Sequence, residues 1–267
     1  MASAIANLRA ATSGNGNERF NQEALSWDSR PFVHEASREA ANAIIGRIQK
    51  SSPPPKNVLE IGCGTGILSF LIAPHVDLVV AIDAAKGMID VLQTKLSKEG
   101  APKNIMPIAV LLEDPEDRTL PPANPAEADG PRMKFDLITS HLVLHHIPDL
   151  KAVLKTMLGC LAPGGKTMLT DFEDFGPEAK RFHPASKMGG VERHGINARS
   201  MAALMEEVGF ANVDVRPAWT MRKIVEKFEG EFGEEGAPRA DKDGKARTDM
   251  GEMMDFPFVL CYGEKPI

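Results

Sequence analysis

The sequence is poor in three features that mark broad classes of protein: cysteine, excess basic charge and long apolar runs. It has 267 residues and three cysteines, Cys63, Cys160 and Cys261, which form no CxxC pair. Scattered cysteines of this kind predict reduced thiols rather than a disulfide framework. They favour a cytoplasmic protein, with the nucleus or an organelle as the alternative. The first six residues also lack the basic start and apolar core of a secretory signal.

The charge and hydropathy of the chain argue against two further classes of partner. A formal net charge of -6 and a pI near 5.7 provide no general attraction to nucleic acid or to anionic lipid. No apolar run approaches the roughly 20 residues of a membrane-spanning helix. Hydrophobic residues make up 43% of the chain, enough for a sizeable core. The length suits one α/β domain with extensions.

A glycine-rich turn is the most informative motif that is present. A short apolar run containing Glu60 is followed by three alternating glycines, Gly62, Gly64 and Gly66. Glycine has no Cβ, so such a strand-to-helix turn lets the backbone approach a ligand closely. A second apolar run ends in Asp83, about 20 residues after the first glycine, where a doubly wound fold places the carboxylate that holds a ribose. Together these residues predict an adenosine-containing cofactor.

The spacing of the turn separates two classes of such cofactors. A dinucleotide fingerprint has glycine or alanine three residues after Gly64, and that position is Ile67. The run from Glu60 to Gly66 instead resembles the first motif of the class I S-adenosylmethionine-dependent methyltransferases. Further along, the Leu-His-His run 144–146 resembles the small-molecule branch related to ubiquinone-biosynthesis methyltransferases. The Asn-Pro-Pro-Tyr motif of amide and adenine N-methyltransferases is absent.

The pattern of apolar runs predicts an α/β fold. Strands are predicted at Val58–Ile61, Leu78–Ile82, Ile108–Leu112, Phe135–Ser140 and Lys166–Asp171, and helices at Ile67–Ala73, Gly87–Leu96 and Leu150–Leu161. This alternation favours a parallel sheet with helices on both faces. The resemblance implies a Rossmann-like sheet of seven strands, mostly parallel with the last strand antiparallel, and an N-terminal helical cap.

The chain is predicted to have three parts. Residues 1–18 are expected to be flexible, residues 19–50 to form the helical cap from a pattern over Phe20–Lys50, and residues 51–267 to form the core. Loop insertions are expected near 119–134 and 229–255, the latter between strands at Val213–Val215 and Phe256–Tyr262. Asn197 is expected to cap a helix that Gly209 closes.

The resemblance assigns roles to individual cofactor residues. Glu60 would act near the methionine amino end, either directly or by ordering the loop. Asp83 would accept hydrogen bonds from both ribose hydroxyls, with a helix cap as its alternative role. An acid near the adenine amino group would be Asp114 or, second, Glu113, with an exposed turn acid as the alternative. The full predicted set is Glu60, Gly62, Cys63, Gly64, Gly66, Asp83, Ala84, Met88, Glu113, Asp114 and Ser140. Cys63 is read as an ordinary buried thiol, with a catalytic thiol as its alternative.

Histidines and aromatic residues are the candidates for the acceptor side. The predicted substrate pocket contains Trp27, His145, Phe172 and His183. The candidate general bases are His145, His146, His183 and His194, each with a structural role as its alternative. His141 and His145 have helical i, i+4 spacing, but there is no HExxH pattern and no nearby cysteine, so no metal site is predicted.

The resemblance implies transfer of a methyl group from S-adenosyl-L-methionine to a small organic acceptor, quinone-like or a secondary metabolite, by in-line displacement. Because the donor is already activated, much of the catalysis can come from proximity and alignment. No nucleic-acid partner is expected. Two alternatives stay open: a regulatory protein that binds the cofactor without turnover, and a protein methyltransferase. A nucleotide-dependent oxidoreductase is disfavoured by Ile67.

Overall fold

The computed structural model describes residues 17–226 and 250–267. Its first helix, α1, covers residues 17–27, and the second, α2, spans Pro31–Ile48. The single helical pattern predicted over Phe20–Lys50 is therefore two helices. Pro31 lies in the first turn of α2, where its missing N–H costs no helical hydrogen bond. The predicted flexible segment 1–18 lies outside the described residues except for positions 17 and 18, which are helical.

Within the described residues, seven strands form one sheet in the order β3-β2-β1-β4-β5-β7-β6. The strands are β1 (Asn57–Ile61), β2 (Leu78–Asp83), β3 (Ile105–Ala109), β4 (Phe135–His141), β5 (Leu161–Phe172), β6 (Ala211–Glu226) and β7 (Met250–Glu264). Neighbouring strands are parallel except β7, which runs antiparallel to β5 and β6. The predicted mostly parallel sheet with an antiparallel last strand is confirmed. The strand order reverses between β1 and β4, where ligands bind at the carboxyl edge of such sheets.

Helices cover both faces of this sheet. They are α3 (Ile67–Ile72), α4 (Lys86–Leu96), α5 (Leu150–Cys160) and α6 (Ala198–Val208), together with α2. Side chains alternate along β1, so Val58 packs in a core cluster with α2, α3 and α4, whereas Leu59 packs in a second cluster with α5 and α6. This two-sided burial explains the nearly continuous apolar composition of the central strands.

The ends of α6 follow the sequence prediction. Asn197 Oδ1 accepts a hydrogen bond from Ser200 N at 3.0 Å, and Gly209 has a φ of 112° just after the last turn. These are the side-chain N-cap and the left-handed C-terminal glycine expected for a helix bounded in this way. Each described helix is too short or too polar to cross a lipid bilayer.

The predicted third strand, Ile108–Leu112, is wrong in position. The strand is Ile105–Ala109, which includes Pro107. Because β3 is the edge strand of the sheet, a residue without an N–H is tolerated there. The prediction ran beyond the true end of the strand because the apolar residues Leu111 and Leu112 continue the apolar sequence after Ala109.

The last two strands are longer than predicted. Val213–Val215 and Phe256–Tyr262 form only the centres of β6 and β7. The predicted insertion 229–255 lies outside the described residues up to position 249, and its remainder belongs to β7. The predicted insertion 119–134 is a loop with an isolated bridge between Pro122 and Arg132.

Candidate active site

Three glycines shape the turn between β1 and α3. Gly62, Gly64 and Gly66 have φ angles of 72°, 54° and 81°, which residues with a Cβ rarely adopt. The N–H groups of Gly62 and Cys63 both donate to the carbonyl oxygen of Ile82 in β2. The turn is therefore folded against the neighbouring strand, with its backbone at the carboxyl edge of the sheet.

The surroundings of these glycines differ. A Cβ at Gly62 would overlap the side chain of Val143, and a Cβ at Gly66 would lie 2.5 Å from Leu92 Cδ1. Packing against neighbouring side chains therefore requires glycine at both positions. A Cβ at Gly64 would meet no atom of the described chain within 4 Å. The backbone at Gly64 is thus open on the side where a Cβ would lie.

Asp83, the last residue of β2, joins this turn to the start of α4. Its carboxylate accepts hydrogen bonds from Gly64 N at 2.8 Å and from Ala85 N at 2.7 Å. Burial raises the pKa of Asp83 above its ordinary value, and the two amide donors oppose that shift. Asp83 therefore orders the glycine turn, and the side-chain helix cap considered as its alternative role is not formed at the start of α4. Each carboxylate oxygen also keeps a second acceptor direction, so ribose binding stays a prediction.

Glu60 is a buried carboxyl group at the end of β1, with 2% of its surface exposed. Ser69 Oγ on α3 donates a hydrogen bond to it. Burial raises the pKa of Glu60 to about 8, and the nearby charge of Asp83 adds to the shift. A cation placed beside Glu60 would favour its ionised form. Burial also raises the pKa of the Cys63 thiol, which supports the reading of an ordinary buried cysteine.

Three other residues predicted to bind the cofactor have distinct surroundings. Ala84 directly follows β2 and is half-buried. Ser140 is buried, and its hydroxyl donates to the carbonyl oxygen of Ile61 at 2.8 Å. Met88 is buried in a cluster with Ala24 of α1. Ser140 and Met88 thus have structural contacts, and any cofactor contact of theirs stays a prediction.

The acids after β3 lie on an exposed turn. Asp114 Oδ1 accepts a hydrogen bond from Glu116 N at 2.9 Å, and the carbonyl oxygen of Glu113 accepts one from Thr156 Oγ1. Asp114 therefore has the turn role that was considered as its alternative. Leu111 lies closer to the end of β3 and is 55% exposed.

Helix α1 covers the carboxyl edge of the sheet on both sides of the glycine turn. On one side, Asn21 Oδ1 accepts a hydrogen bond from Gly87 N in α4 at 2.8 Å. On the other side, the ring of Phe20 packs edge-on against His146, with centroids 5.2 Å apart. Trp27 packs against Phe20 and lies in the cluster beside α4. Trp27 thus anchors the helix, and a contact with substrate stays a prediction.

Asp28, directly after α1, connects this helix to the glycine turn. Its carboxylate accepts hydrogen bonds from Thr65 Oγ1 and from Lys95 Nζ, the latter at 2.8 Å. Lys95 Nζ also donates to the carbonyl oxygen of Thr65 at 2.9 Å. Asp28 was not among the predicted site residues. The structure shows that it orders the turn.

A buried histidine–aspartate pair joins the turn after β4 to the carboxyl end of β5. His145 Nδ1 lies 2.8 Å and 3.0 Å from the two carboxylate oxygens of Asp171, and His145 N donates to the same carboxylate. The side chains are 2% and 0% exposed. Asp171 was not among the predicted site residues, although its place at the carboxyl end of a strand was a usable signal. The pair fixes the orientation of the His145 ring.

Two further candidate histidines surround His145. The rings of His146 and His183 have centroids 3.9 Å and 4.9 Å from that of His145. Burial lowers the pKa of His146 to about 3 and that of His183 to about 2, and the proximity of His145 contributes in both cases. Phe172 and Phe182, stacked with centroids 3.9 Å apart, form an aromatic wall beside the cluster.

The remaining histidines considered from the sequence are placed differently. His194 has an exposed side chain and lies outside this cluster. His141 is hydrogen-bonded through Nδ1 to Thr170 Oγ1 at 2.9 Å, and burial lowers its pKa to about 4. The candidate bases that the structure brings together are therefore His145, His146 and His183.

Comparison with known proteins identifies relatives of the chain. Residues 32–215 match a family described as a methyltransferase domain. An uncharacterized methyltransferase of Schizosaccharomyces pombe is 28% identical over 163 residues, 60% of this chain and 55% of that protein. A ubiquinone biosynthesis O-methyltransferase of Coxiella burnetii is 29% identical over 113 residues, 42% of this chain and 41% of that protein. The chain thus spans about half or less of the length of these relatives.

Solved structures share the fold. The YcgJ protein of Bacillus subtilis aligns with a TM-score of 0.58 at 17% identity, covering 86% of this chain and 99% of that protein. The N-methyltransferase NodS of Bradyrhizobium japonicum, solved with S-adenosyl-L-homocysteine, aligns with a TM-score of 0.52 at 18% identity, covering 95% and 100%. At these identities the likeness extends to the fold alone.

Proposed function

Because the chain belongs to the methyltransferase domain family, with S-adenosylmethionine as the cofactor of its class I fold, we propose that it methylates a small organic acceptor, a phenolic or quinone-like hydroxyl being the leading class. One observation carries the proposal. The open backbone at Gly64, the carboxyl groups of Glu60 and Asp83, and the His145–Asp171 pair all belong to the carboxyl edge of the sheet.

In this proposal the cofactor residues act on different parts of one ligand. Glu60 binds the ammonium group of the methionine end, since a cation stabilises a buried carboxylate. The backbone at Gly64 lies against the cofactor, because no side chain occupies that space. Asp83 accepts hydrogen bonds from the ribose hydroxyls through its free acceptor directions.

The reaction needs alignment and loss of one proton. S-adenosylmethionine supplies an activated sulfonium methyl group. The acceptor oxygen attacks that carbon in line with the departing sulfur, and positioning lowers the barrier. A phenolic hydroxyl must lose its proton, and His145 is oriented by Asp171 to assist that loss.

The nature of the acceptor is supported by two findings. The relative in Coxiella burnetii is named for O-methylation in ubiquinone biosynthesis. The stacked Phe172 and Phe182 rings beside the histidines suit an aromatic acceptor. A cytoplasmic location and the lack of a nucleic-acid partner belong to the same proposal, because the chain is acidic and its three cysteines are free thiols.

A transfer assay with methyl-labelled S-adenosylmethionine tests the proposal. The acceptors are an alkylated catechol, a primary amine of similar size and a whole-protein extract. We expect label on the catechol oxygen and little on the other two. Label found only on protein would instead identify a protein methyltransferase. Tight binding of S-adenosylhomocysteine without transfer to any acceptor would identify a regulatory protein without turnover.

A further inference from the structure

Three histidines at the acceptor end of the site converge in a way that the methyl transfer itself does not require. His145, His146 and His183 each offer one ring nitrogen, and these three nitrogens lie within 4.8 Å of one another. We infer that the three imidazoles form a binding site for a divalent transition metal ion of the Zn²⁺ type. The sequence predicted no metal site, because the segment that contains His141 and His145 has no HExxH pattern and no nearby cysteine. The fold brings His183 to the cluster instead.

The outer contacts of two of these rings are those of metal-ligating histidines. His145 Nδ1 is held by the Asp171 carboxylate, and His146 Nδ1 donates to the carbonyl oxygen of Gly190 at 2.7 Å. A carboxylate or a backbone carbonyl on one ring nitrogen is the usual partner of a histidine whose other nitrogen binds a metal. In both rings this leaves Nε2 with its lone pair available.

Unpartnered buried nitrogens point to a missing ligand. His145 Nε2 and His183 Nδ1 are both buried without a hydrogen-bond partner among the described residues. A buried polar atom of this kind is costly unless something satisfies it. A metal ion would satisfy His145 Nε2 directly.

The cluster is held by contacts on more than one side. Arg193 donates hydrogen bonds to the carbonyl oxygens of Leu144 and Ile147, on either side of the two adjacent histidines. Arg19 of α1 donates to the carbonyl oxygens of Lys187 and Gly189, next to the residue that binds His146. These contacts fix the backbone that carries His145 and His146 and the backbone next to the Gly190 carbonyl that pairs with His146.

The donor set favours one class of ion. Imidazole nitrogens suit zinc, copper, nickel and iron rather than magnesium or calcium, which prefer oxygen. At Zn–N distances of about 2.0–2.1 Å, tetrahedral geometry would place the nitrogens roughly 3.4 Å apart, so nitrogens that now lie within 4.8 Å of one another would approach by up to about 1.4 Å. His146 and His183 are only partly buried, which leaves a route to solvent and a side for a fourth ligand.

The consequence for the reaction rests on the proposed function. A Lewis acid held by three neutral ligands lowers the pKa of a hydroxyl brought to its open position. The acceptor would then lose its proton to solvent water at neutral pH before its oxygen attacks the methyl group, and with the metal bound His145 would serve as a ligand in place of the base role proposed above.

Calorimetric titration of ZnCl₂ into the full chain, prepared without a histidine tag and stripped with a chelator, tests the site. We expect one Zn²⁺ per chain. His146→Ala and His183→Ala should each weaken binding at least 10-fold, and Asp171→Asn should weaken it 10- to 100-fold, as for other outer partners of a metal ligand. His75→Ala, which removes an exposed histidine outside the cluster, should bind zinc as the wild type does.

The same samples are titrated with S-adenosylhomocysteine to show that each variant is folded. A wild type that binds S-adenosylhomocysteine but shows no saturable 1:1 zinc binding would overturn the metal site. Equal zinc affinity in the wild type and the two histidine variants would also overturn it. If zinc binding depends on the three histidines but the chain transfers methyl groups to no hydroxyl, the metal site would be supported and the proposed acceptor would be overturned.

Discussion

A single methyl group at Gly64 should separate the ligand-binding role of the glycine turn from its structural role. Gly64 has a φ of 54°, and an added Cβ would meet no described atom within 4 Å. Gly100 offers a matched control, because its φ is 78° and its Cβ would also meet nothing within that distance. Gly100 lies between α4 and β3, at the opposite edge of the sheet from Gly64.

Both alanine substitutions should lower stability by a similar, modest amount. A left-handed conformation costs an L-residue about 1–2 kcal/mol, and the stiffer unfolded chain returns about 0.4–1 kcal/mol. The net loss of about 1 kcal/mol corresponds to a Tm lower by about 2–4 °C in a chain of this size. Thermal denaturation of Gly64→Ala and Gly100→Ala measures this loss of stability.

Cofactor affinity should distinguish the two variants. If the cofactor lies against the backbone at Gly64, the new methyl group overlaps it, and overpacking of that kind costs about 1–3 kcal/mol. Equilibrium dialysis with labelled S-adenosylmethionine should then show about 5- to 150-fold weaker binding for Gly64→Ala. Gly100→Ala should bind as the wild type does. Equal affinity in both folded variants would refute the placement of the cofactor beside Gly64.

Four other substitutions test separate contacts. Burial raises the pKa of Glu60 from 4.5 to about 8, so the folded state holds an extra proton between these values and loses stability as pH rises through them. Glu60→Gln should therefore gain in Tm relative to the wild type from pH 5 to pH 8, and a constant difference would contradict this. Asn197→Ala and Asp149→Ala each remove the N-cap of a helix, α6 and α5 respectively. Each should lower the free energy of unfolding, measured by urea denaturation, by about 0.5–2 kcal/mol. An unchanged free energy of unfolding in either variant would contradict its capping contact. Asp28→Ala removes the charge-assisted hydrogen bonds from Lys95 and Thr65 and should cost about 1–3 kcal/mol. Unchanged stability would show that these contacts are not formed in solution.

The features that the sequence predicted correctly depend on neighbouring residues. The strand that contains Glu60, the alternating glycines and the strand that ends at Asp83 are adjacent along the chain, so local pattern was sufficient. The caps of α6 are local as well. The third strand was misplaced because Pro107 interrupts its apolar run, and its place at the edge of the sheet, where proline is tolerated, is set by the whole topology.

The acceptor side could not be predicted in the same way. His183 is separated from His146 by 36 residues that include all of β5, and only the folded sheet brings them together. Asp171 and Asp28 are ordinary acids in the sequence, and their roles come from partners far along the chain. The position of Asp114 in a turn depends on where β3 ends, which the local pattern did not settle.

Calorimetric binding of S-adenosylhomocysteine to Asp83→Ala and Asp136→Ala tests the central claim, that the cofactor binds at the carboxyl edge of the sheet. The variants are matched, because Asp136 accepts hydrogen bonds from Lys56 N and Asn57 N at the opposite edge, just as Asp83 accepts two from backbone amides. We expect Asp136→Ala to bind as the wild type does and Asp83→Ala to lose about 1.5–3 kcal/mol of binding free energy. Equal affinity in both folded variants, or no binding by the wild type, would contradict the account.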